Sequence, residues 1–378
     1  MASIISQPNA LEKLKILSAD AQYDLACACG TKDTPCRTRG DEGRWIYPVT
    51  LPNGGKSLLF KTLVSNVCEN DCKYCPLRQD GDVRRVSMGI EEMAKVFMEH
   101  YRQKKVFGLF LSSGVCVNAD AAMGRLTGIA KTLRRYYGFK GYIHLKILPG
   151  ASDAAIEDAV RLSSAVSLNI ETPGEENMKK LSAKKDFLTD IVRPIKLISM
   201  LTGKGNPYER VKQTTQFIVG AAGEKDSEIV SYMAGLYKKL GLARIYFSAY
   251  QKGLGGKGMP GEENAPPASD VFTREHRLYQ ADFLMRKYGF EHDDILYDGN
   301  GQLSLKDDPK QVWADRHPEI FPVDANKAGK KALLKVPGLG PVTVKRIIKQ
   351  RKSGRLHRIE EVGKPTVLLQ KAAKYLRF

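Results

Sequence analysis

The chain has 378 residues, 42% of them hydrophobic, which is enough for a sizeable core and for two or three domains. No run of 18 apolar residues occurs, and the first twenty residues contain acidic side chains but neither a basic segment nor a long apolar one, which predicts a cytoplasmic protein without a membrane partner. Seven cysteines, six of them in two short clusters, favour metal or redox chemistry over a disulfide framework.

The formal net charge of +18 is distributed unevenly along the chain. Residues 325–378 hold ten lysines and five arginines against two glutamates, a net charge of +13 in 54 residues, whereas the preceding 324 residues hold only +5. A basic chain can indicate a nucleic-acid partner, an acidic membrane surface or simply a lysine-rich surface. The distribution assigns the basic character to a C-terminal module.

Residues 1–55 are predicted to combine a helix, a cysteine-rich loop and a hairpin. The hairpin is predicted from "YPVTLPNGGKSLLF", because Asn53-Gly54 can occupy the positive-φ positions of a tight turn. Cys27, Cys29 and Cys36 could hold an auxiliary iron–sulfur cluster, although their spacing matches no standard site. The alternative is that they are loop thiols or partly buried thiols.

Residues 56–255 alternate between strand and helix patterns. Six segments are apolar on both faces, as buried strands are, and amphipathic helices separate them. This alternation predicts parallel β/α units with right-handed crossovers, arranged either as an open, partial barrel or as a doubly wound sheet. The predicted strands are "SLLFKTLV", "VFGLFLSS", "GYIHLKIL", "AVSLNIET", "TTQFIVGA" and "ARIYFSAY".

A cysteine triplet, Cys68, Cys72 and Cys75 in "LVSNVCENDCKYCPLR", follows the first of these strands. In an α/β barrel the C-terminal ends of the strands carry the chemistry. A structural zinc site needs four ligands, usually as two separated pairs, and downstream Cys116 stands alone. Three thiolates on one loop can instead hold three irons of a 4Fe-4S cluster and leave the fourth open to a small molecule. Zinc-bound or simply buried cysteines are the alternatives.

Residues 256–324 are predicted to form a lid loop and a connecting helical region. The loop lies in "KGLGGKGMPGEENAPPAS", whose glycines and prolines predict a mobile surface segment, and its position after the last barrel strand would let it act as a lid. One long helix is predicted over "TREHRLYQADFLMRKYGF".

Residues 325–378 contain "KKALLKVPGLGPVTVKRIIKQRK", which resembles a helix-hairpin-helix. Gly338 and Gly340 permit a tight hairpin, and exposed N–H groups at the start of its second helix can bind a phosphate without reading base sequence. The alternative is a helical hairpin packed on the barrel, with its lysines in solvent. Additional positive charge on the second helix comes from Lys345, Arg346 and Lys349.

The C-x3-C-x2-C spacing of the triplet, with an aromatic residue before the last cysteine, resembles the signature of the radical S-adenosylmethionine (SAM) superfamily. The resemblance implies a partial (β/α)6 radical-SAM barrel in an α/β fold, a 4Fe-4S cluster on the triplet and SAM bound at the open iron. In that superfamily an electron, from a donor such as flavodoxin or ferredoxin, cleaves SAM to methionine and a 5′-deoxyadenosyl radical. The radical then abstracts hydrogen from a substrate.

The resemblance also implies SAM contacts at the strand ends. "FLSSGV" stands where the superfamily often has a Gly-Gly-Glu element that holds the SAM amino group, and the carboxylate is missing here. "SLNIET" is expected to contact the ribose and methionyl groups, and "FIVGAAGE" is similar to the element that packs on adenine, with its acid displaced to Glu224. His144 and Lys146 lie on the predicted strand "GYIHLKIL", and the alternation of its residues does not say which of them point into the barrel. The implied cofactor-binding residues are Tyr74, Ser112, Ser113, Gly114, Asn169, Glu171, Ile218 and Gly220.

Triplet, barrel and hairpin together resemble a bacterial and archaeal family of radical-SAM proteins associated with DNA modification or repair, which have a small all-α C-terminal helix-hairpin-helix domain. The resemblance extends to "LEKLKILSADAQYDLACACG", "REHRLYQADFLMRKYGF" and "FPVDANKA". It implies nucleic acid, with DNA favoured over RNA, as the partner.

Three functions remain open at this stage. The first is repair or modification of a DNA base, which would be flipped out or single-stranded. The second is modification of tRNA or rRNA, and the third is a nucleic-acid-binding protein whose cluster is not catalytic. Cys116, just beyond the second strand, is a candidate hydrogen donor to a product radical, as a cysteine is in spore photoproduct lyase; simple burial is the alternative.

Overall fold

A computed structural model describes residues 8–21, 45–50, 55–264 and 266–378. Its main feature is a seven-stranded sheet in which the strands are neighbours in the order in which they occur in the chain. β1 pairs antiparallel with β2, and every later pair is parallel. The strands are β1 Ile46–Thr50, β2 Lys56–Leu63, β3 Gly108–Ser112, β4 Tyr142–Lys146, β5 Ala165–Ser167, β6 Lys212–Val219 and β7 Arg244–Ala249.

The sequential strand order decides between the two predicted arrangements. A doubly wound sheet reverses its strand order at a switch point, which β2 to β7 do not do. Because parallel crossovers are right-handed, an unreversed order places every crossover helix on the same face of the sheet. The sheet therefore curves into a partial barrel of six β/α units, and this prediction is confirmed.

Helices of moderate length make the crossovers, and side-chain caps begin several of them. The Asn118 side chain accepts a hydrogen bond from the Ala121 N–H, and the Ser152 side chain accepts one from Ala155. The helices up to the last strand of the sheet are α1 Ala10–Asp20, α2 Ile90–Arg102, α3 Ala119–Lys131, α4 Asp153–Leu162, α5 Glu175–Leu181, α6 Arg193–Thr202 and α7 Asp226–Leu240.

Alternation along the strands separates a helix-facing row from a barrel-facing row. Leu111, Leu145 and Phe217 are fully buried and belong to the row that packs under the helices. The other row has polar members, and its His144 makes a hydrogen bond of 3.0 Å to Ser167 Oγ. Since His144 and Lys146 are two residues apart on one strand, both face the barrel interior.

The fourth predicted parallel strand is shorter than expected. "AVSLNIET" forms a ladder only over Ala165–Ser167, and a single bridge from Glu171 to Phe217 follows. Glu171 has a φ of 65°, a left-handed conformation that interrupts a strand. The predicted hairpin of β1 and β2 forms, with Thr50 paired with Lys56, while its predicted turn residues Asn53 and Gly54 lie outside the described residues.

The chain divides into two compact units. The first holds the sheet and continues through Gly235–Val271; the second comprises Lys225–Ala234 and Phe272–Phe378. The predicted boundaries at residues 55, 255 and 324 stay predictions. The remaining helices are α8 Pro260–Glu263, α9 Ala268–Phe283, α10 Pro309–Arg316, α11 Lys330–Lys335, α12 Pro341–Gln350 and α13 Val367–Ala373.

The sequence predicted an all-α C-terminal region, but the structure also has strands there. Two short strands, β8 Val323–Asp324 and β9 Leu376–Arg377, pair in parallel and close the region onto itself. Strands of two residues are too short to show a period in sequence, which is why they were missed. Within the described parts of the chain, no helix combines the length and apolar character needed to cross a membrane.

Candidate active site

The loop after β2 carries Cys68, Cys72 and Cys75, and its path is fixed by close packing against the end of β3. Gly114 donates its N–H to Ser65 O at 2.8 Å. A Cβ added at Gly114 would lie 2.3 Å from Val67 O and 3.1 Å from Cys68 Cβ, so only glycine fits here. Gly114, which the resemblance assigns to SAM, therefore also sets the position of the first cysteine.

Arg85 holds the far side of the same loop. Its guanidinium donates to the carbonyls of Asn66, Leu77, Arg78 and Gly81 at 2.5 to 2.9 Å. One guanidinium group thus connects backbone carbonyls that lie before and after the three cysteines in the chain. The cysteine loop is built as a rigid support, which a site needs if its ligands are to hold a fixed geometry.

The three cysteines line one cavity of about 150 Å³ at the C-terminal ends of the strands. Cys72 is buried, and Cys68 and Cys75 are half-buried. Among the described residues, no three His, Cys, Asp or Glu side chains converge as the ligands of a single metal ion do. The implied cofactor residues that also line the cavity are Tyr74, Ser112, Ser113, Gly114, Asn169, Glu171 and Ile218.

Two predicted residues lie away from this cavity wall. Gly220 has a φ of 88° and donates its N–H to Glu224 Oε1 at 2.5 Å, so its role in the structure is to form a turn. The carboxylate of Glu224, the displaced acid, therefore accepts backbone hydrogen bonds within this turn. Cys116 is half-buried, and the cavity is lined by its neighbour Val115 instead. Cys27, Cys29 and Cys36 lie outside the described residues.

A buried polar network joins the cysteine loop to the end of β5. Lys185 Nζ donates to Tyr74 OH at 2.9 Å, and Tyr74 OH donates to Glu171 Oε1 at 2.8 Å. The Lys185 and Glu171 side chains are only 6% and 7% exposed and lie 3.8 Å apart. Asn169 Nδ2 donates to the other Glu171 oxygen at 3.3 Å. The network therefore places one positive and one negative charge beside the thiols.

The thiols and the lysine influence each other's protonation. Burial raises the pKa of Cys72, and the adjacent Lys185 partly counteracts this rise. Burial and the neighbouring Cys72 raise the pKa of Cys75 to about 12. Burial alone would lower the pKa of Lys185, but Cys72 and Glu171 raise it overall. Lys185 therefore holds its proton more firmly than an ordinary lysine, and the thiols release theirs less readily than ordinary cysteines until a metal ion competes for the sulfur.

Several residues that line the cavity were not predicted as ligands. Gln216 lies two residues before Ile218 on β6, so strand alternation could have indicated it. Lys146 also lines the cavity, whereas the pattern had left its direction open. Lys185 and Asp20 come from segments far from the strand ends, and no local pattern indicated their presence.

The glycine-rich segment after β7 is held against the cysteine loop by hydrogen bonds. Gly256 donates its N–H to Lys73 O at 2.7 Å, and Arg78 donates to Leu254 O at 3.3 Å. The Glu262 carboxylate accepts from the Gly253 N–H at 2.9 Å and also from the Gly255 N–H and the Tyr250 hydroxyl. We call residues 251–259 the strap. It covers one side of the loop that carries the cysteines.

The predicted nucleic-acid residues lie in the second unit. Gly338 has a φ of 83° and packs so closely that a Cβ would lie 2.1 Å from Leu368 O. Gly340 is the residue before α12 and has an extended conformation. Lys345 and Lys349 are exposed, whereas the guanidinium of Arg346 donates to Val362 O at 3.0 Å and so also has a structural contact.

Comparison with known proteins found no matching family model and no matching curated protein. Similar solved structures include the FeFe-hydrogenase maturase HydG from Carboxydothermus hydrogenoformans, with a TM-score of 0.48, 15% identity and coverage of 60% of this chain and 51% of that one. The chain thus spans about half the length of that protein.

Two further structures show a similar level of likeness. Methylornithine synthase PylB has a TM-score of 0.44, 12% identity and 74% coverage of each chain. SuiB from Streptococcus suis, bound to S-adenosylmethionine, has a TM-score of 0.43, 10% identity and coverage of 61% of this chain and 49% of that one. With TM-scores below 0.5, these similarities do not decide the chemistry of this chain.

Proposed function

We propose that the protein is a radical SAM enzyme that repairs or modifies a base in nucleic acid, with DNA as the substrate class. The observation that carries the proposal is the cavity in which all three loop cysteines meet the ends of β3, β5 and β6. A three-thiol site that opens into a cavity at the catalytic end of a parallel barrel suits a cluster with one iron left for a small ligand.

The residues fit a 4Fe-4S cluster. Cys68, Cys72 and Cys75 would hold three irons, and the charged Lys185 would offset part of the negative charge that thiolates and sulfides bring into a buried site. Such a cluster, with SAM at its open iron, would supply the one-electron reduction that cleaves the carbon–sulfur bond of SAM to methionine and a 5′-deoxyadenosyl radical. Flavodoxin or ferredoxin would supply that electron.

This chain's own residues would bind and orient SAM. Ser112 and Ser113 at the end of β3, and Asn169 and Glu171 beyond β5, present polar atoms to one cavity. Ile218 offers an apolar surface to an adenine ring. The cysteine loop, held by Arg85 and covered on one side by the strap, limits the access of water to the reacting groups.

The nucleic-acid part of the proposal rests on the C-terminal module. Its net charge of +13 is concentrated in the last 54 residues, and Lys345 and Lys349 are exposed on α12 next to a glycine turn. Such a surface binds phosphates, and nucleic acid is the polyanion whose backbone a hairpin of this kind grips. DNA is preferred to RNA on the resemblance of the hairpin sequence alone.

The first test is anaerobic reconstitution with iron and sulfide, followed by dithionite and SAM. We expect 5′-deoxyadenosine from the wild type and none from Cys68→Ala, Cys72→Ala or Cys75→Ala. Cys116→Ala is the matched control, because it removes a thiol outside the cavity, and it should retain a full cluster. Wild-type protein that holds a cluster but never cleaves SAM, with or without nucleic acid, would contradict the enzyme assignment.

The second test concerns the substrate. Lys345→Gln/Lys349→Gln should weaken binding to duplex and single-stranded DNA and reduce the slope of log affinity against log salt by about one per lysine. Lys95→Gln/Lys196→Gln removes the same charge from exposed sites of the barrel unit and should leave binding unchanged.

Tighter binding of tRNA than of DNA at physiological salt would favour the RNA substrate instead. Mass spectrometry of nucleosides from cells with and without the gene would identify the base.

A further inference from the structure

Asp20 reaches the cysteine cavity from outside the β/α repeat. It is the last residue of α1, the helix that precedes the barrel strands, and it lines the same cavity as the three cysteines and Ser113. Asn66 Nδ2 donates to Asp20 Oδ2 at 2.6 Å, and Asn66 lies two residues before Cys68. The helix end is thus tied to the base of the cysteine loop.

Two local effects oppose a negative charge at Asp20. Burial raises the pKa of its carboxyl group, and the Asn66 amide and Arg85 offset the rise only in part. The C-terminal end of a helix also carries partial negative charge, and the last turn of α1 contains no basic residue. A carboxylate in this position destabilises the ligand-free protein, and a cationic ligand in the cavity would relieve that cost.

The other carboxylate among the described residues that line the cavity is already occupied. Glu171 accepts hydrogen bonds from Tyr74 and Asn169 and faces the charged Lys185. Asp20 accepts its one hydrogen bond from described residues at Oδ2, which leaves Oδ1 for a further donor. Of the two acids, Asp20 is therefore the one with capacity for a cation.

The resemblance to the radical SAM superfamily indicates which cation this would be. It implies a carboxylate at the end of β3 that holds the amino group of SAM, and Ser112, Ser113 and Gly114, which line the cavity there, have none. Ser113 Oγ donates to its neighbour's carbonyl, Gly114 O, at 2.8 Å. A carboxylate supplied by a different element of the fold could complete the same binding site.

We propose that Asp20 binds the α-ammonium group of SAM and so replaces, from α1, the acid that β3 lacks. This role rests on the proposed radical SAM function. It assigns a cofactor contact to a helix outside the barrel and explains why a carboxylate lies at an unfavourable helix end.

The test compares wild type with Asp20→Asn, which keeps an acceptor for Asn66 but removes the charge. In cluster-loaded full-length protein, the affinity for SAM per loaded cluster, measured by equilibrium dialysis and by the change in the EPR spectrum of the reduced cluster, should fall roughly tenfold or more. The SAM-free Asp20→Asn protein should be as stable as wild type or more stable. Asp153→Asn, an exposed acid on α4 away from the cavity, is the matched control and should bind SAM like wild type.

A SAM analogue without the α-amino group separates a direct contact from general damage. Wild type and Asp20→Asn should bind this analogue equally. Equal SAM affinity of the two proteins, or an equal loss of SAM and analogue binding in the variant, would overturn the role of Asp20. Cluster-loaded wild type that binds no SAM at all would overturn the proposed function itself, and the Asp20 contact with it.

Discussion

Lys185 donates a hydrogen bond to the hydroxyl of Tyr74, the residue directly before Cys75, at 2.9 Å. The two residues are 111 positions apart in the chain and meet in a buried network that also includes Glu171. Through this contact a loop between two helices supplies a buried positive charge to the cavity that the cysteines line. The charge balance of the site is therefore a property of the tertiary structure.

Replacing Lys185 by methionine should be strongly destabilising. The substitution keeps most of the volume but leaves the buried Glu171 carboxylate without its counter-charge, which costs about 3–5 kcal/mol in comparable pairs. Chemical denaturation of the metal-free protein measures this loss, and iron content after reconstitution should fall as well. Lys179→Met is the control, because Lys179 is 62% exposed and pairs with glutamates on its own helix; it should change stability by less than about 0.5 kcal/mol. Similar effects of the two variants would contradict the role assigned to Lys185.

Replacing Glu262 by alanine should release the strap. The Glu262 carboxylate accepts hydrogen bonds from Gly253, Gly255 and Tyr250, and each such bond contributes about 1 kcal/mol, so local opening should increase roughly tenfold or more. Limited proteolysis with trypsin measures the change, because Lys252 and Lys257 are exposed cleavage sites within the strap.

The control for the strap is Glu263→Ala, which changes the adjacent exposed acid. Its rate of cleavage in the strap should match that of wild type. If Glu262→Ala is also cleaved at the wild-type rate, the contacts to Lys73 O and from Arg78 are sufficient to hold the segment, and Glu262 has no organising role.

The two hairpin glycines should differ in their tolerance of alanine. Gly338 has a φ of 83°, and its added Cβ would lie 2.1 Å from Leu368 O, so Gly338→Ala should cost at least about 2 kcal/mol. At Gly340 the added Cβ would meet only Tyr288 Oη at 3.4 Å, and Gly340→Ala should cost less than about 1 kcal/mol. The fluorescence of Trp313 during denaturation, in a Trp45→Phe background, reports on this unit. Equal costs at the two positions would show that the turn can relax around a side chain.

The stability of the second unit should depend on pH through Lys310. This lysine is buried, donates to Leu339 O at 2.6 Å, and has a pKa lowered by burial to about 7. Between about pH 7 and the pKa of 10.5 that it has when unfolded, the unfolded chain binds a proton that the folded chain does not, so stability should rise with pH. A single group can contribute at most about 1.4 kcal/mol per pH unit.

Lys310→Met isolates this effect from the titration of other lysines. The difference in free energy of unfolding between wild type and variant should change across pH 7–10 and be nearly constant below about pH 7, where Lys310 is charged in both states. Denaturation curves followed by Trp313 fluorescence at several pH values measure it. A constant difference across the whole range would mean that Lys310 keeps its proton in the folded protein.

Much of the architecture is determined locally and could be predicted from sequence. Alternating buried strands and amphipathic helices determined a parallel β/α unit, because strand burial and helix periodicity repeat within a few residues. The spacing of Cys68, Cys72 and Cys75 determined that three thiols share one loop after the first parallel strand. Even there, the sequence left open whether the units form a partial barrel or a doubly wound sheet, since strand order depends on long-range pairing.

The chemistry of the cavity was decided by contacts between residues far apart in the chain. Asp20 from α1 and Lys185 from the loop after α5 reach the cysteines only after the sheet has formed, and no local pattern marks either residue. The left-handed conformation of Glu171 and the close approach of Gly114 to Val67 are likewise imposed by packing. The sequence by itself determined which residues could bind a cluster; the tertiary structure decided which charges surround it, because burial and long-range proximity set the charge state and the partners of each group.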